Sequence, residues 1–150
     1  MVDPNRLLKI QHFCAYKERY HTEVREKLFE IGASGDEVDE AMVLLIEEGF
    51  LDEERFAVAF AGGKFRINHW GKTKIKMELR RRQISDHCIR KALGEIPEED
   101  YREALLHLLR KKSAELRTVA HPAQRREKLV VYALQKGYES ELARTLVESL

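Results

Sequence analysis

Apolar side chains return every three or four positions along nearly the whole chain, and no alternation of β-branched residues runs long enough to read as a strand. The pattern predicts helices throughout. Leu7–Tyr20 makes the first and Thr22–Ile31 the second, with Gly32 placed to end it. The third begins after Ser34. Ser34 and Glu37 have the spacing of a capping box, Ala33 and Val38 flank that cap as a hydrophobic staple would, and Gly49 supplies a left-handed stop after Glu48. Asp52 caps the next helix, 53–64, with Leu51 and Phe56 in staple positions and Glu53 and Glu54 in the first turn, where the helix dipole favours anions. Gly71 then opens a helix that runs through Arg82, and Glu98–Leu116 forms a long amphipathic one. The three prolines, at 4, 97 and 122, spare every strongly periodic run.

This pattern recurs. Moving 22–46 forward by 51 residues lays Val24 on Ile75, Leu28 on Leu79, Ala33 on Ile84, Ser34 on Ser85, Val38 on Ile89 and Leu45 on Ile96. A further shift of 54 gives a weaker third copy at Leu129, Ala133, Gly137, Tyr138, Ala143, Leu146, Val147 and Leu150. Each copy follows an amphipathic helix. The expected fold is therefore all-α, three tandem three-helix repeats over 1–50, 51–96 and 97–150. Repeats of this kind touch mainly their sequence neighbours, so an elongated, curved array is expected rather than a deep catalytic pocket.

Composition narrows the class. Charged residues make up 35% of 150, which suits slender helical modules with little core per residue. No run of ~18 apolar residues suggests a membrane span, and the first residues lack the apolar stretch of a secretion signal, so a cytoplasmic setting is expected. Cys14 and Cys88 lie in apolar-periodic segments and read as reduced core residues. The histidines show no metal-ligand spacing, and neither a metal nor a cofactor is expected. A polar surface of this kind favours a monomer.

The net charge of +1 hides two poles. Every ionised side chain from Asp36 to Glu54 is acidic, much of it explained by helix starts. From Lys64 to Lys91 the balance reverses, with ten Lys and Arg against Glu78 and Asp86. A concentrated positive surface attracts a polyanion or an acidic protein face. Lys64-Phe65-Arg66-Ile67-Asn68-His69-Trp70-Gly71 reads as a connection longer than the matching turn in unit one, and it carries the only Trp. On the helix beyond it, Ile75 and Leu79 form a narrow buried stripe, Lys72 and Lys76 border it, and Lys74, Arg80 and Arg81 spread over the exposed arc. Arg80-Arg81-Arg82 offers planar forks to carboxylates or phosphates, although cations also suit a helix end for its own sake. Trp70, at a helix entry, reads first as a plug between helices. The candidate contact residues are Lys64, Arg66, Lys72, Lys74, Lys76, Arg80, Arg81 and Arg82.

Catalytic signatures do not emerge: there is no phosphate loop, nucleophile elbow or H-E-x-x-H helix. Asp52-Glu53-Glu54 reads as a cap and a first turn rather than as general acids or magnesium ligands. A binding protein, not an enzyme, is expected.

Gly49-Phe50-Leu51-Asp52-Glu53-Glu54-Arg55-Phe56-Ala57, then Lys64-Phe65-Arg66, then Trp70-Gly71-Lys72-Thr73-Lys74-Ile75 leading to Glu78-Leu79, resembles the central signature of RecX proteins, bacterial regulators of the RecA recombinase. Thr22-Glu23-Val24-Arg25-Glu26-Lys27-Leu28 is similar to the family's S-x-x-E-L-x-x-K-L element, with Thr in place of Ser and a departure at Val24-Arg25. The resemblance implies an all-helical array of three-helix repeats that binds RecA and its filaments on DNA and inhibits recombination and co-protease activity. It also implies structural roles in unit two for Asp52, Arg55 and Phe56. The competing expectation is a stand-alone helical nucleic-acid-binding protein acting through the basic middle repeat.

Overall fold

A computed structural model describes all 150 residues, as nine α-helices and no strand. Unit one holds α1 (Pro4–Tyr16), α2 (His21–Glu30) and α3 (Gly35–Glu47). Unit two holds α4 (Glu53–Asn68), α5 (Lys72–Arg81) and α6 (Asp86–Gly94), and unit three α7 (Glu98–Glu115), α8 (Pro122–Gln135) and α9 (Ser140–Glu148). Every closely packed helix pair lies inside one of these groups.

The recurrence extends to the backbone. After α2, α5 and α8 the chain turns through a left-handed residue at Gly32, Gln83 and Gly137, with φ of 100°, 61° and 97°. Each turn closes with the same pair of bonds: Gly32 N–H to Phe29 O and Ala33 N–H to Leu28 O, Gln83 N–H to Arg80 O and Ile84 N–H to Leu79 O, Gly137 N–H to Leu134 O and Tyr138 N–H to Ala133 O. This is a Schellman closure, which wants glycine at its left-handed residue. Only unit two places a side chain there.

Helix ends depart from the expected boundaries for local reasons. α1 starts early because the Asp3 carboxylate accepts from Arg6 N–H at 3.0 Å and Pro4 sits in the first turn, where its missing N–H costs nothing. It ends at Tyr16 rather than Tyr20. Arg19 folds back, its guanidinium 3.6 Å from the centre of the Phe13 ring and its Nε–H donating to Phe13 O at 2.9 Å, which satisfies a terminal carbonyl. α4 runs past Lys64 to Asn68, because Phe65 falls one turn beyond Ala61 and buries with it. The connection to α5 is then only His69-Trp70-Gly71, shorter than the Lys17–Tyr20 turn of unit one, and not the longer loop expected.

Two cap details also differ. Ser34 Oγ accepts from Glu37 N–H, but the Glu37 carboxylate does not return to Ser34. It accepts instead from Arg6 at 2.9 and 2.8 Å and from Asp3 N–H at 2.9 Å, tying α1 to α3. The Arg6 guanidinium holds that carboxyl below its usual range. Leu51 and Phe56 do not staple: Leu51 is buried with unit one and Phe56 with unit two.

Those two cores are unequal. Unit one closes its own set of 11 buried residues around Ile10, Val24, Leu28, Val38 and Leu45. Units two and three share a continuous set of 21, from Phe56 through Ile75, Tyr101 and Leu105 to Val147. The chain thus packs as one unit followed by a fused pair.

Candidate functional site

The joint between units two and three is built backbone on backbone. Gly71 N–H donates to Lys136 O at 2.8 Å and Thr73 N–H to Gly137 O at 2.9 Å, so the start of α5 docks on the turn after α8. A Cβ on Gly71 would lie 2.3 Å from the Gly137 carbonyl, so only glycine permits the approach. Tyr101 and Tyr138, both 1% exposed, fill the space beneath, ring centres 5.0 Å apart. Tyr138 Oη donates to His69 O at 3.0 Å, and Tyr101 Oη accepts from Lys72 N–H at 2.8 Å while donating to Glu139. Burial raises both phenol pKa values, and the bond to Glu139 raises that of Tyr101 further. Gly71 and Lys72 therefore belong to this joint. The Lys72 ammonium sits 4.6 Å over the Tyr101 ring and 3.6 Å from Glu98.

The joint between units one and two follows the same plan with different residues. By the 51-residue shift Tyr20 stands where unit two has Gly71, and by the 54-residue shift Gln83 stands where unit three has Gly137. The contact here is made by side chains. Thr22 Oγ1 donates to Gln83 Oε1 at 2.8 Å, Tyr20 packs on Phe56 at 5.3 Å, and Arg55 pairs with Glu18 at 2.8 Å. Asp52 caps α4 by accepting from Arg55 N–H at 2.9 Å. Beside the contact, His21 Nε2 is buried with no hydrogen-bond partner.

No main-chain hydrogen bond crosses here, and an open groove of about 510 Å³ lies at the joint, lined by Lys17, Glu18, Tyr20, Phe56, Phe60 and Arg82 among others. Its floor continues into an aromatic ladder: Tyr20 to Phe56, Phe56 to Phe60 at 5.7 Å, and Phe60 to Trp70 at 6.5 Å, edge on. Cations cover the ring faces. Lys64 Nζ lies 5.0 Å from Trp70 and 5.5 Å from Phe60, Lys74 Nζ 4.5 Å from Trp70, and the Arg82 guanidinium 4.6 Å from Phe60. Trp70 is half-buried and packs against the shared core, and Lys74 is half-buried over it rather than out on the exposed arc.

The candidate cations thus separate into groups. Lys64 and Arg82 line the groove at the first joint, while Lys74 packs its Cβ against Gly137 at the second and reaches back over Trp70, which Lys64 also covers. Arg80 and Arg81 project into solvent, 55% and 72% exposed, with single contacts to Asp86 at 3.5 Å and to Glu78 at 3.4 Å. Ion pairs so wet contribute roughly 0–1 kcal/mol and exchange readily for a partner's carboxylates. Arg82 is 28% exposed and held by a bond to Glu78 O at 2.9 Å, so the three arginines do not form one surface. Lys76 is exposed with no ion pair, whereas Lys72 is half-buried and paired with Glu98. Arg66 stands apart, folded over Gly62 at the rim of a separate groove with Phe65, Ile96 and Pro97. Sequence reasoning missed Tyr20, Phe60 and Lys17. The signal for them was the break in the repeat at Tyr20 and Gln83, together with the Phe56–Phe60 spacing of one helical turn.

No three His, Cys, Asp or Glu side chains converge as metal ligands, and no helix is long and apolar enough to cross a membrane. Cys14 is a buried thiol, its pKa raised to about 11 by burial.

The model of the RecX second three-helix domain matches residues 52–93, which is unit two from its Asp52 cap to Leu93. Sequence relatives extend the likeness over the rest of the chain. A regulatory protein RecX of Clostridium botulinum is 30% identical over 127 residues, covering 84% of this chain and 59% of its own length. That of Trichlorobacter lovleyi is 27% identical over 126 residues, covering 83% and 82%. The chain belongs to the RecX family. It spans 59% and 60% of the length of the two clostridial RecX relatives, from Clostridium botulinum and Clostridium perfringens. The fold agrees with solved RecX structures. The crystal structure of RecX from Lactobacillus salivarius superimposes with a TM-score of 0.88 at 20% identity, covering 97% of this chain and 94% of that one. A second RecX crystal structure gives 0.85 at 19% identity, covering 96% and 70%.

Proposed function

We propose that this RecX-family chain binds the RecA recombinase and its filaments on DNA and inhibits their recombinase, ATPase and co-protease activities, so tempering DNA repair and the SOS response. It does so in the cytoplasm as a monomer, without catalysis of its own. The observation that carries this reading is the cationic face at the joint between units one and two. Lys64 and Lys74 meet no carboxylate within the chain, and Arg80 and Arg81 hold theirs only loosely. A linear array whose helices pack within units presents such a face alongside a long partner. Added at well below one molecule per recombinase subunit, the protein is expected to suppress single-stranded-DNA-dependent ATP hydrolysis by RecA. Unchanged hydrolysis together with undetectable binding rejects the proposal.

Salt separates this reading from bare DNA binding. Neutralising ~6–10 phosphates would cost ~10³–10⁵-fold in affinity between ~50 and ~200 mM salt. A protein interface with an apolar centre loses much less, mainly in association rate. The cations already seated over Trp70 and Phe60 favour the protein partner, because they close those ring faces to base stacking.

A further inference from the structure

We propose that the groove at the first joint is the docking site for an acidic peptide segment carrying an apolar anchor. This rests on the reading that the chain works by binding a protein filament, and it assigns where and by what chemistry. Four observations converge.

The groove lies at the joint where Tyr20 and Gln83 stand in place of the glycine pair, and there no main-chain hydrogen bond crosses between the units. Its floor offers apolar surface: the edges of Tyr20, Phe56 and Phe60, beside the exposed methyl of Ala59. Its cations are uncommitted, since neither Lys17 nor Lys64 forms an ion pair, and Lys74 continues the positive rim over Trp70 without one. Glu18 and Glu23 also line it, but Glu18 is taken by Arg55 and Glu23 by Arg19. An apolar floor under unpaired ammonium groups fits carboxylates spaced around an apolar side chain.

A nucleic-acid strand fits less well. The ring faces it would stack on are capped by Lys64, Lys74 and Arg82, and the rim carboxylates would face its phosphates. Folded over Phe60 and bonded to Glu78 O, Arg82 instead fixes the groove's far wall.

Trp70, the only tryptophan, reports on the site through Lys64. The full chain is titrated with a short synthetic peptide of Glu and Asp around one central Phe, with the same peptide built from Gln and Asn, and with oligo-dT, following Trp70 emission and calorimetric heat. The acidic peptide is expected to bind and to relieve RecA inhibition by competition, and the amide peptide to bind at least tenfold more weakly. Lys64→Glu, and separately Ala59→Tyr, which plugs the groove without touching its charge, should each lower peptide affinity and inhibitory potency about tenfold, a loss of ~1.4 kcal/mol. Helical circular dichroism checks that each variant folds. Oligo-dT binding with Ala59→Tyr-sensitive affinity while the peptide fails would overturn the assignment in favour of nucleic acid. Full RecA inhibition by both variants would also overturn it while leaving the proposed function standing. Wild type that fails to inhibit RecA rejects the proposed function instead, whatever the peptide does.

Discussion

At both joints the entrance of one unit's second helix meets the left-handed turn after the second helix of the next. Between units two and three the meeting residues are Gly71 and Gly137, and main-chain N–H groups bond directly to main-chain carbonyls. Between units one and two the same stations hold Tyr20 and Gln83, and the contact passes to a hydroxyl, an amide and an aromatic edge. Behind the glycine pair the hydrophobic cores run together; behind the substituted pair they stay separate. The joint without Cβ atoms at the crossing is thus the one whose cores are continuous, while the helices around both crossings keep one design. Both joints keep an open cleft, about 510 Å³ at the first and about 310 Å³ beside Lys72, Glu98, Tyr101 and Glu139 at the second, but Lys72 is paired with Glu98 whereas Lys17 and Lys64 at the first hold no carboxylate.

The largest break in this contrast should come from Gly71→Ala. Its methyl group cannot fit 2.3 Å from the Gly137 carbonyl, so α5 and the α8 turn must separate and two backbone bonds are lost. A cost of about 3 kcal/mol is expected from the overpacking and the unmade bonds. Urea unfolding should then divide the fused pair into separate transitions. Tyr20→Ala, at the equivalent station, removes only a half-buried ring and its pairing with Phe56, for about 1 kcal/mol, and leaves the unfolding of units two and three unchanged. Equal losses in the two variants would remove the distinction between the joints.

A smaller effect tests the polar half of the glycine joint. Tyr101→Phe deletes the hydroxyl that accepts from Lys72 N–H and donates to Glu139, stranding a donor at roughly 1–3 kcal/mol. The phenols also give the joint a pH signature. Their pKa values are raised above the ordinary 10.0 in the folded protein, so it binds these protons more tightly than the unfolded chain does. Their contribution is intact below pH 10.0 and drains away as pH climbs through the raised values. Hydrogen exchange or chemical denaturation on the alkaline side should show units two and three loosening there, and Tyr101→Phe should blunt that slope.

Much of this architecture was legible in the chain itself. The 51- and 54-residue recurrences locate the second and third helices of each unit because every copy must bury the same stripe and stop at the same turn. Ser34 and Asp52 mark their helix starts because a cap is a local bond that needs no distant partner. What the sequence hid is long-range. Glu37 reads as half of a capping box, yet Arg6 and Asp3, more than thirty residues away in the chain, claim its carboxylate. The basic run reads as one patch along a segment, whereas the fold turns Lys72 to the second joint, Arg66 to another face, Lys64 and Arg82 to the first joint, and Lys74 from its seat on Gly137 back over Trp70. Gly71 reads as a helix opener and Tyr20 as a helix end. Only their superposition in space exposes them as the same station with opposite consequences.

The smallest effect sharpens the contrast most. Gln83 is the one side chain forced into the left-handed turn that glycine fills in the other two units, at φ 61°. That conformation costs an L-residue about 1–2 kcal/mol, whereas glycine adopts it freely but loses about 0.5–1 kcal/mol more entropy on folding. Gln83→Gly should therefore stabilise unit two by about 0.5–1 kcal/mol, seen as a higher urea midpoint with an unchanged slope. It also deletes the amide that accepts from Thr22, an exposed bond worth no more than about 0.5 kcal/mol, so unit one should exchange its amide hydrogens slightly faster while unit two gains. The turn would then match Gly137, yet Tyr20 would still hold the backbones apart and the cores would stay separate. Net destabilisation beyond about 1 kcal/mol would mean that the Thr22–Gln83 contact carries the first joint, and that this joint is as tightly made as the second.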